Sequence, residues 1–276
     1  MELMPRDIAI LRQVARFRFL HSGQIARLIG GARQPLLRRL HRLFHHGYLD
    51  RPRSQIDYFH RGGSKPLVHG LGRKGVSVLF PDVGQRPRLE NLQVGRLHLQ
   101  HTLHIAEVLI TIELACRGRD DVRYVPEEEL RSQGGFRWAT TVRHAGKAQR
   151  VGLVPDGVFA LGSSSGDRAY FFLEADRGTM PVQRASLTRS SFFRKLLAYE
   201  TTWTTGLHAQ RFGFHRFRVL TVTESAGRAG HLRETARTLA RGQGLFAFTH
   251  LAALRDSDPF KLDWLSPTQE GTTRLL

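Results

Sequence analysis

Apolar positions recur at steps of three and four over residues 5–45 and give way further along to short, nearly continuous apolar runs, so helices are expected first and strands later. In PRDIAILRQVARFRFL, Pro5 and Asp7 suit a first turn, and Ile8, Leu11, Val14 and Ala15 line up as one stripe. Ser22 reads as the N-cap of a second helix, GQIARLIG, whose Ile25, Leu28 and Ile29 face inward and which ends on Gly30 and Gly31. In a third, ARQPLLRRLHRLFHHG, the stripe is Leu36, Leu37, Leu40, Leu43 and Phe44, with Gln34, Arg38, His41, Arg42 and His45 on the other side. Three helices in this order predict a helix-turn-helix. Two alternating segments, YLDRP at 48–52 and KPLVHGL at 65–71, flank the polar RSQIDYFHRGG and extend the prediction to a winged helix over residues 1–80.

Residues 81–96, PDVGQRPRLENLQVGR, are rich in Pro, Gly and charge without periodicity and read as a linker. A second domain is expected over 97–255, with 256–276 as a tail. It opens with a helix at 97–116, where Leu99, Leu103, Ala106, Ile110 and Leu114 share a face, followed by a short strand in VRYVPEEEL. Two further strands, GLVPDGVFAL and AYFFLEADRG, are joined by the turn GSSSGDR. A helix in SLTRSSFFRKLLAYETTW, a strand in RFRVLTVTES, a helix near 228–241 and a strand in GLFAFTH complete the order. The chain is thus expected to be a two-domain α+β or α/β protein, with a helix–three strands–helix–strand core following the winged helix.

Charge points to the partner. The net charge is +18, and residues 1–100 carry 18 Lys and Arg against 6 acids, two thirds of the excess in the first third of the chain. Such a field favours a polyanion, and double-stranded DNA is the expected partner. Arg38, Arg39, Arg42 and Gln34 are expected near base edges, and Arg53, Arg61 and Lys65 at phosphates; the competing reading is that these arginines only solvate a helix surface. No apolar stretch is long enough to span a bilayer and the first residues do not pattern as a signal peptide, so a cytoplasmic protein is expected. The lone Cys116 leaves no internal disulfide.

Chemistry gathers where two predicted strands meet. Asp156 enters one and Glu174 leaves the next, so both carboxylates fall at one end of a hairpin, with Asp176 two residues on. Carboxylates this close repel unless a cation lies between them, and a hard divalent ion such as Mg²⁺ or Mn²⁺ between Asp156 and Glu174 could activate water against a phosphate. His98, His101, His104 and Glu107 recur every three residues but fan across about half a helix, too widely for one tetrahedral ion. Glu127–Glu129 suit a solvated turn, and GSSSG lacks the ending of a phosphate-binding loop.

Pro155-Asp156, followed by Glu174-Ala175-Asp176 in that element order, resembles the restriction-endonuclease-like PD-(D/E)XK core. The whole chain, with HTLHIAEV, LVPDGVF, FFLEADRGT, KLLAY and FRVLTVT, resembles the replication-relaxation family of plasmids and integrative elements. The resemblance implies a DNA-handling protein of a mobile element, with a nuclease-like domain that nicks or cleaves using Mg²⁺ and with other replication or transfer proteins as partners. A winged helix on a palindromic site also allows a homodimer. One position departs from the nuclease pattern, which expects Lys where this chain has Asp176. Arg177 beside it or Lys195 on the next helix could substitute, the latter with Tyr199 facing the site; otherwise Asp176 is a third metal ligand, or the site is degenerate. The resemblance further allows His101 or Glu107 to support the acids from the preceding helix. The alternative to a nuclease is a winged-helix transcriptional or replication regulator whose second domain is inactive and serves dimerisation or partner binding.

Overall fold

A computed structural model describes residues 1–56, 65–82, 84, 91, 93–130 and 135–276. The chain forms two compact units, Met1–Ile110 and Thr111–Leu276.

The first unit begins with α1 (Pro5–Phe17), short strand β1 (Phe19–His21), α2 (Ser22–Ile29) and α3 (Arg33–His45). Pro5 occupies the first turn of α1, and the Asp7 carboxylate accepts the Met4 amide at 2.7 Å. The cap of α2 differs from expectation. His21 fills it, its Nδ1 accepting the Gln24 amide while Gln24 Oε1 accepts the His21 amide, and Ser22 is buried as the first helical residue. Strands β2 (Leu49–Asp50) and β3 (Val68–Leu71) follow, and β3 lies central in the order β1-β3-β2, antiparallel to both neighbours. Gln55 exchanges hydrogen bonds with Val68, accepting its amide at 2.8 Å and donating to its carbonyl at 3.2 Å, so a side chain pins the base of the connecting loop to β3. A further helix, α4 (Arg73–Leu79), carries Gly75, where a Cβ would stand 2.3 Å from the Tyr48 carbonyl oxygen. The core is built from Ile10, Leu11, Val14, Phe19, Ile25, Leu36, Leu40 and Leu43, all shielded from water.

Helix α5 (Arg96–Arg117) crosses the division between the units. The boundary therefore falls beyond the Pro- and Gly-rich 81–96, because the first half of α5 packs into the N-terminal core: Leu99 and Leu103 cluster with Phe19, Val68 and Val94.

The second unit is organised on a sheet of seven strands among the described residues, ordered β12 (Thr272–Thr273), β11 (Trp264–Leu265), β10 (Phe246–His250), β9 (Phe217–Thr223), β8 (Arg168–Asp176), β7 (Gly157–Ser163) and β4 (Val122–Pro126). Strands β4 (Val122–Pro126), β7 (Gly157–Ser163) and β8 (Arg168–Asp176) run antiparallel in sequence. From β8 the chain crosses over through α7 (Phe192–Thr204) and α8 (Leu207–Phe212) to β9 (Phe217–Thr223), then through α9 (Ala226–Arg237) to β10 (Phe246–His250), giving three parallel strands. Phe159, Phe171, Phe172, Leu220, Phe246 and Phe248 are fully buried, as expected for strands covered on both faces. A short helix, α6 (Glu127–Leu130), holds the Glu127–Glu129 run.

Besides the short elements β1, α4, α8 and α10 (Leu251–Asp256), two larger features were not predicted. A separate hairpin, β5 (Trp138–His144) with β6 (Lys147–Leu153), is inserted before β7 and turns through Ala145 and Gly146, both at positive φ. The segment read as a tail also carries structure: after α10 (Leu251–Asp256) come β11 (Trp264–Leu265) and β12 (Thr272–Thr273), which extend the sheet and bury Trp264 completely.

Candidate functional site

The hairpin of β7 and β8 brings Asp156 and Glu174 to one place. Asp156 immediately precedes β7; its amide donates to the Leu173 carbonyl at 2.9 Å, and its Oδ2 accepts the Ala175 amide at 2.8 Å. Glu174 is 2% exposed, in parallel register with Thr221 of β9. Its two oxygens are taken from the neighbouring helix, where Lys195 Nζ lies 2.5 Å from Oε2 and the Tyr199 hydroxyl donates to Oε1 at 2.7 Å. Lys195 and Tyr199 are four residues apart and so share one face of α7. The Ser191 hydroxyl caps that helix by accepting the Arg194 amide, and Phe192, Leu196, Leu197 and Ala198 anchor it.

Electrostatics distinguish these groups. Burial raises the pKa of Glu174, and Asp156 raises it further against the pull of Lys195. On Lys195, burial works against the ammonium, but Glu174 and then Asp156 outweigh it and leave its pKa above the ordinary lysine value. Tyr199 stays a phenol, its pKa driven up by burial and by the Glu174 charge. The ammonium thus serves as a fixed cation and donor.

Asp176 has a different partner. Arg228 Nε donates to its Oδ2 at 2.7 Å and Nη2 to Oδ1 at 3.2 Å, while Nη2 also reaches the Met180 carbonyl at 2.6 Å. Arg228 stands in the first turn of α9, capped by Ser225. With both oxygens in a fork, Asp176 acts as an anchor between β8 and α9. Arg177, its chain neighbour, lies 3.6 Å from Glu224. Among the described residues, no three His, Cys, Asp or Glu side chains converge as a metal cage. Asp156 and Glu174 remain as two hard-oxygen donors, a number that suits Mg²⁺ with water completing its shell.

The N-terminal unit takes up Glu107. Arg27 Nη1 donates to its Oε1 at 2.6 Å and Gln24 Nε2 to its Oε2 at 2.9 Å, fastening α5 to α2. His101 lies half-buried nearly two turns earlier on α5.

On α3, Gln34, Arg38, His41, Arg42 and His45 are exposed together. Arg39 departs from its expected role. Its guanidinium forks onto the buried Asp7 carboxylate and also donates to the Glu2 carbonyl, so it locks α3 to α1 and does not join that face. Burial alone would raise the Asp7 pKa, but the hydrogen bonds from Arg39 and Met4 prevail and leave it below the ordinary carboxylate value. Arg53 and Lys65 are exposed at the two ends of the loop, and Arg61 lies outside the described residues. No helix among the described residues is long and apolar enough to cross a membrane.

The structure defines a mixed α/β protein of two units, one presenting a basic helix face and the other a buried carboxylate–lysine–tyrosine cluster. Comparison with known families gives its place: the replication-relaxation family matches residues 11–216, and the chain belongs to it. That membership ties it to the replication or relaxation of plasmids and other mobile elements. No curated protein and no solved structure matches the chain.

Proposed function

We propose that this is a double-stranded-DNA-binding protein with a winged-helix N-terminal unit and a PD-(D/E)XK-type C-terminal unit that nicks or cleaves DNA. One observation carries the reading: Lys195 reaches Glu174 from α7, beside Asp156, so the lysine missing two residues after Glu174 is supplied by the following helix. Support comes also from element order, since α5, the antiparallel β4, β7 and β8, the crossover α7 and the parallel β9 follow the sequence of a nuclease-like core. In the first unit, three helices and the β1-β3-β2 sheet around a loop suit a winged helix, with Gln34, Arg38 and Arg42 toward base edges and Arg53 and Lys65 toward phosphates.

Mg²⁺ or Mn²⁺ held by Asp156 and Glu174 would supply Lewis-acid stabilisation of charge on the phosphate. The chain's own groups do the positioning. Tyr199 fixes the orientation of the Glu174 carboxylate. Lys195, kept charged by the acids around it, donates toward an attacking water and offsets negative charge at the phosphorus without acting as a base. Asp176 and Arg228 hold the end of β8 in place.

A second reading is favoured by the same pairings: Glu174 and Asp176 each already have a cationic partner, an arrangement that also suits an inactive regulator using this unit for dimerisation or partner docking. Incubating supercoiled plasmid with the full chain and Mg²⁺, Mn²⁺ or EDTA separates the two. The expected result is metal-dependent conversion to open-circular or linear DNA, reduced by roughly 10²-fold or more in Asp156→Ala with duplex affinity retained. Cleavage that survives Asp156→Ala would remove the site assignment, and binding without strand breakage in any metal would leave the regulator.

A further inference from the structure

The β5–β6 hairpin leads straight into the acidic site, since three residues after β6 ends at Leu153 the chain reaches Asp156. One face of the hairpin is committed to the core: Trp138, Val142, Val151 and Leu153 are buried, and the Trp138 indole donates to Thr202 Oγ1 at 2.9 Å and lies 6.0 Å from the Tyr199 ring. It therefore braces the helix that presents Lys195 and Tyr199. The other face is exposed and basic. Arg143 stands opposite Ala148 and Arg150 opposite Thr141, so the two guanidinium groups share a side among small residues, while Lys147, exposed at the tip, pairs with His144 on the opposite side.

At that tip His144 packs on Phe193 near the start of α7, ring centroids 5.3 Å apart, and brings the hairpin to the loop between β8 and α7. That loop carries exposed Arg184 and Arg189. Charge content sets these two segments apart. Residues 135–155 hold four Lys and Arg and residues 177–199 hold five, with no acid in either. Elsewhere in this unit some surface cations sit against acids, as in Arg119–Asp121, Arg233–Glu234 and Arg274–Asp263, while others, such as Arg216 and Lys261, stand singly among the described residues. Among the described residues, Arg143, Lys147, Arg150, Arg184 and Arg189 make no ion pair.

We infer that the exposed face of this hairpin, with Arg184 and Arg189, is a DNA-backbone-binding surface that holds phosphates beside Asp156, Glu174 and Lys195. The inference rests on the proposed DNA-handling function, and it adds to the basic face of α3 a second DNA-binding surface on the C-terminal unit. A strand gripped by both segments near the start of α7 is held in register with the acids, which a surface carrying acids of its own would oppose.

The test compares two full-length triple variants of equal charge loss. One is Arg143→Gln/Lys147→Gln/Arg150→Gln; the other removes exposed cations elsewhere on the same unit, Arg216→Gln/Arg241→Gln/Lys261→Gln. Affinity for a fluorescent duplex is read across a salt series, with thermal melts confirming that both variants are folded. The hairpin variant is expected to bind roughly tenfold more weakly, its salt slope shallower by about 0.9 for every phosphate it no longer neutralises, with little change in the other. Equal effects in the two variants would overturn the hairpin assignment while leaving the DNA-handling reading standing. Absence of DNA binding by the unaltered chain would overturn that reading and the hairpin assignment with it.

Discussion

Two buried acid–base pairs, one in each unit, are alike in layout and differ in chemistry. Asp7 is 1% exposed and meets Arg39 from α3; Glu174 is 2% exposed and meets Lys195 from α7. Asp7 collects a two-point fork and a backbone amide, and its pKa falls. Glu174 collects a point charge and a phenol with a second carboxylate nearby, and its pKa rises. A satisfied acid is a lock. An acid whose pKa is pushed up by burial and a neighbouring carboxylate, despite its lysine and tyrosine, can gain from a further cation, which is the physical signature of a site.

The comparison breaks most sharply at the lysine. Lys195→Met leaves Glu174 buried without its cation and is expected to cost about 3–5 kcal/mol at pH 8. Because the folded Glu174 pKa is already raised and rises further without Lys195, protonation relieves the penalty on acidification, so the cost should shrink between pH 8 and pH 5. Denaturant unfolding at the two pH values measures this; a cost that does not change would mean that Glu174 is not the strained group. Arg39→Met is expected to cost about 3 kcal/mol, and its deficit should also narrow on acidification. With Arg39 gone, burial is left to raise the Asp7 pKa, so the gap closes as pH falls through the variant's pKa and then the parent's depressed one, reaching further into acid than the Lys195→Met deficit. The smallest effects belong to the exposed face of α3. Arg38→Ala and Arg42→Ala should leave stability within about 0.5 kcal/mol of the parent while each weakens duplex binding by about 1 kcal/mol, with a lower salt slope in filter-binding or anisotropy titrations. Unchanged affinity in both would remove α3 from the interface.

The same pairs mark where the sequence could be read and where it could not. The three N-terminal helices, the strands around Leu49 and Val68, and the succession α5, β4, β7, β8, α7, β9, α9 and β10 follow from periodicity, because each buries a continuous stripe or run, whereas β1, α4, α8 and the β5–β6 hairpin were not read. Asp156 and Glu174 were legible as the flanks of two such runs, whereas Lys195 and Tyr199 were reached only through the family resemblance. Arg39 was misread because an arginine outside the apolar stripe looks like solvent-facing charge until Asp7, 32 residues earlier, is seen to be buried. Arg228 was missed for the same reason, with 52 residues separating it from Asp176. The β5–β6 hairpin had a faint signal in the alternation of Trp138, Thr140 and Val142 across from Val151 and Leu153, but Ala-Gly is a weak turn marker beside Asn-Gly.

The hydrogen bond from the Ala175 amide to the Asp156 side chain has a consequence for redesign. That carboxylate stands where a strand carbonyl would accept, so it is a rung of the sheet and cannot be re-aimed by editing a loop. Helix α7 is different: it is joined to the site through side chains alone, Lys195 and Tyr199. To give this scaffold a new reaction, an engineer would leave β7 and β8 untouched and rewrite that helix.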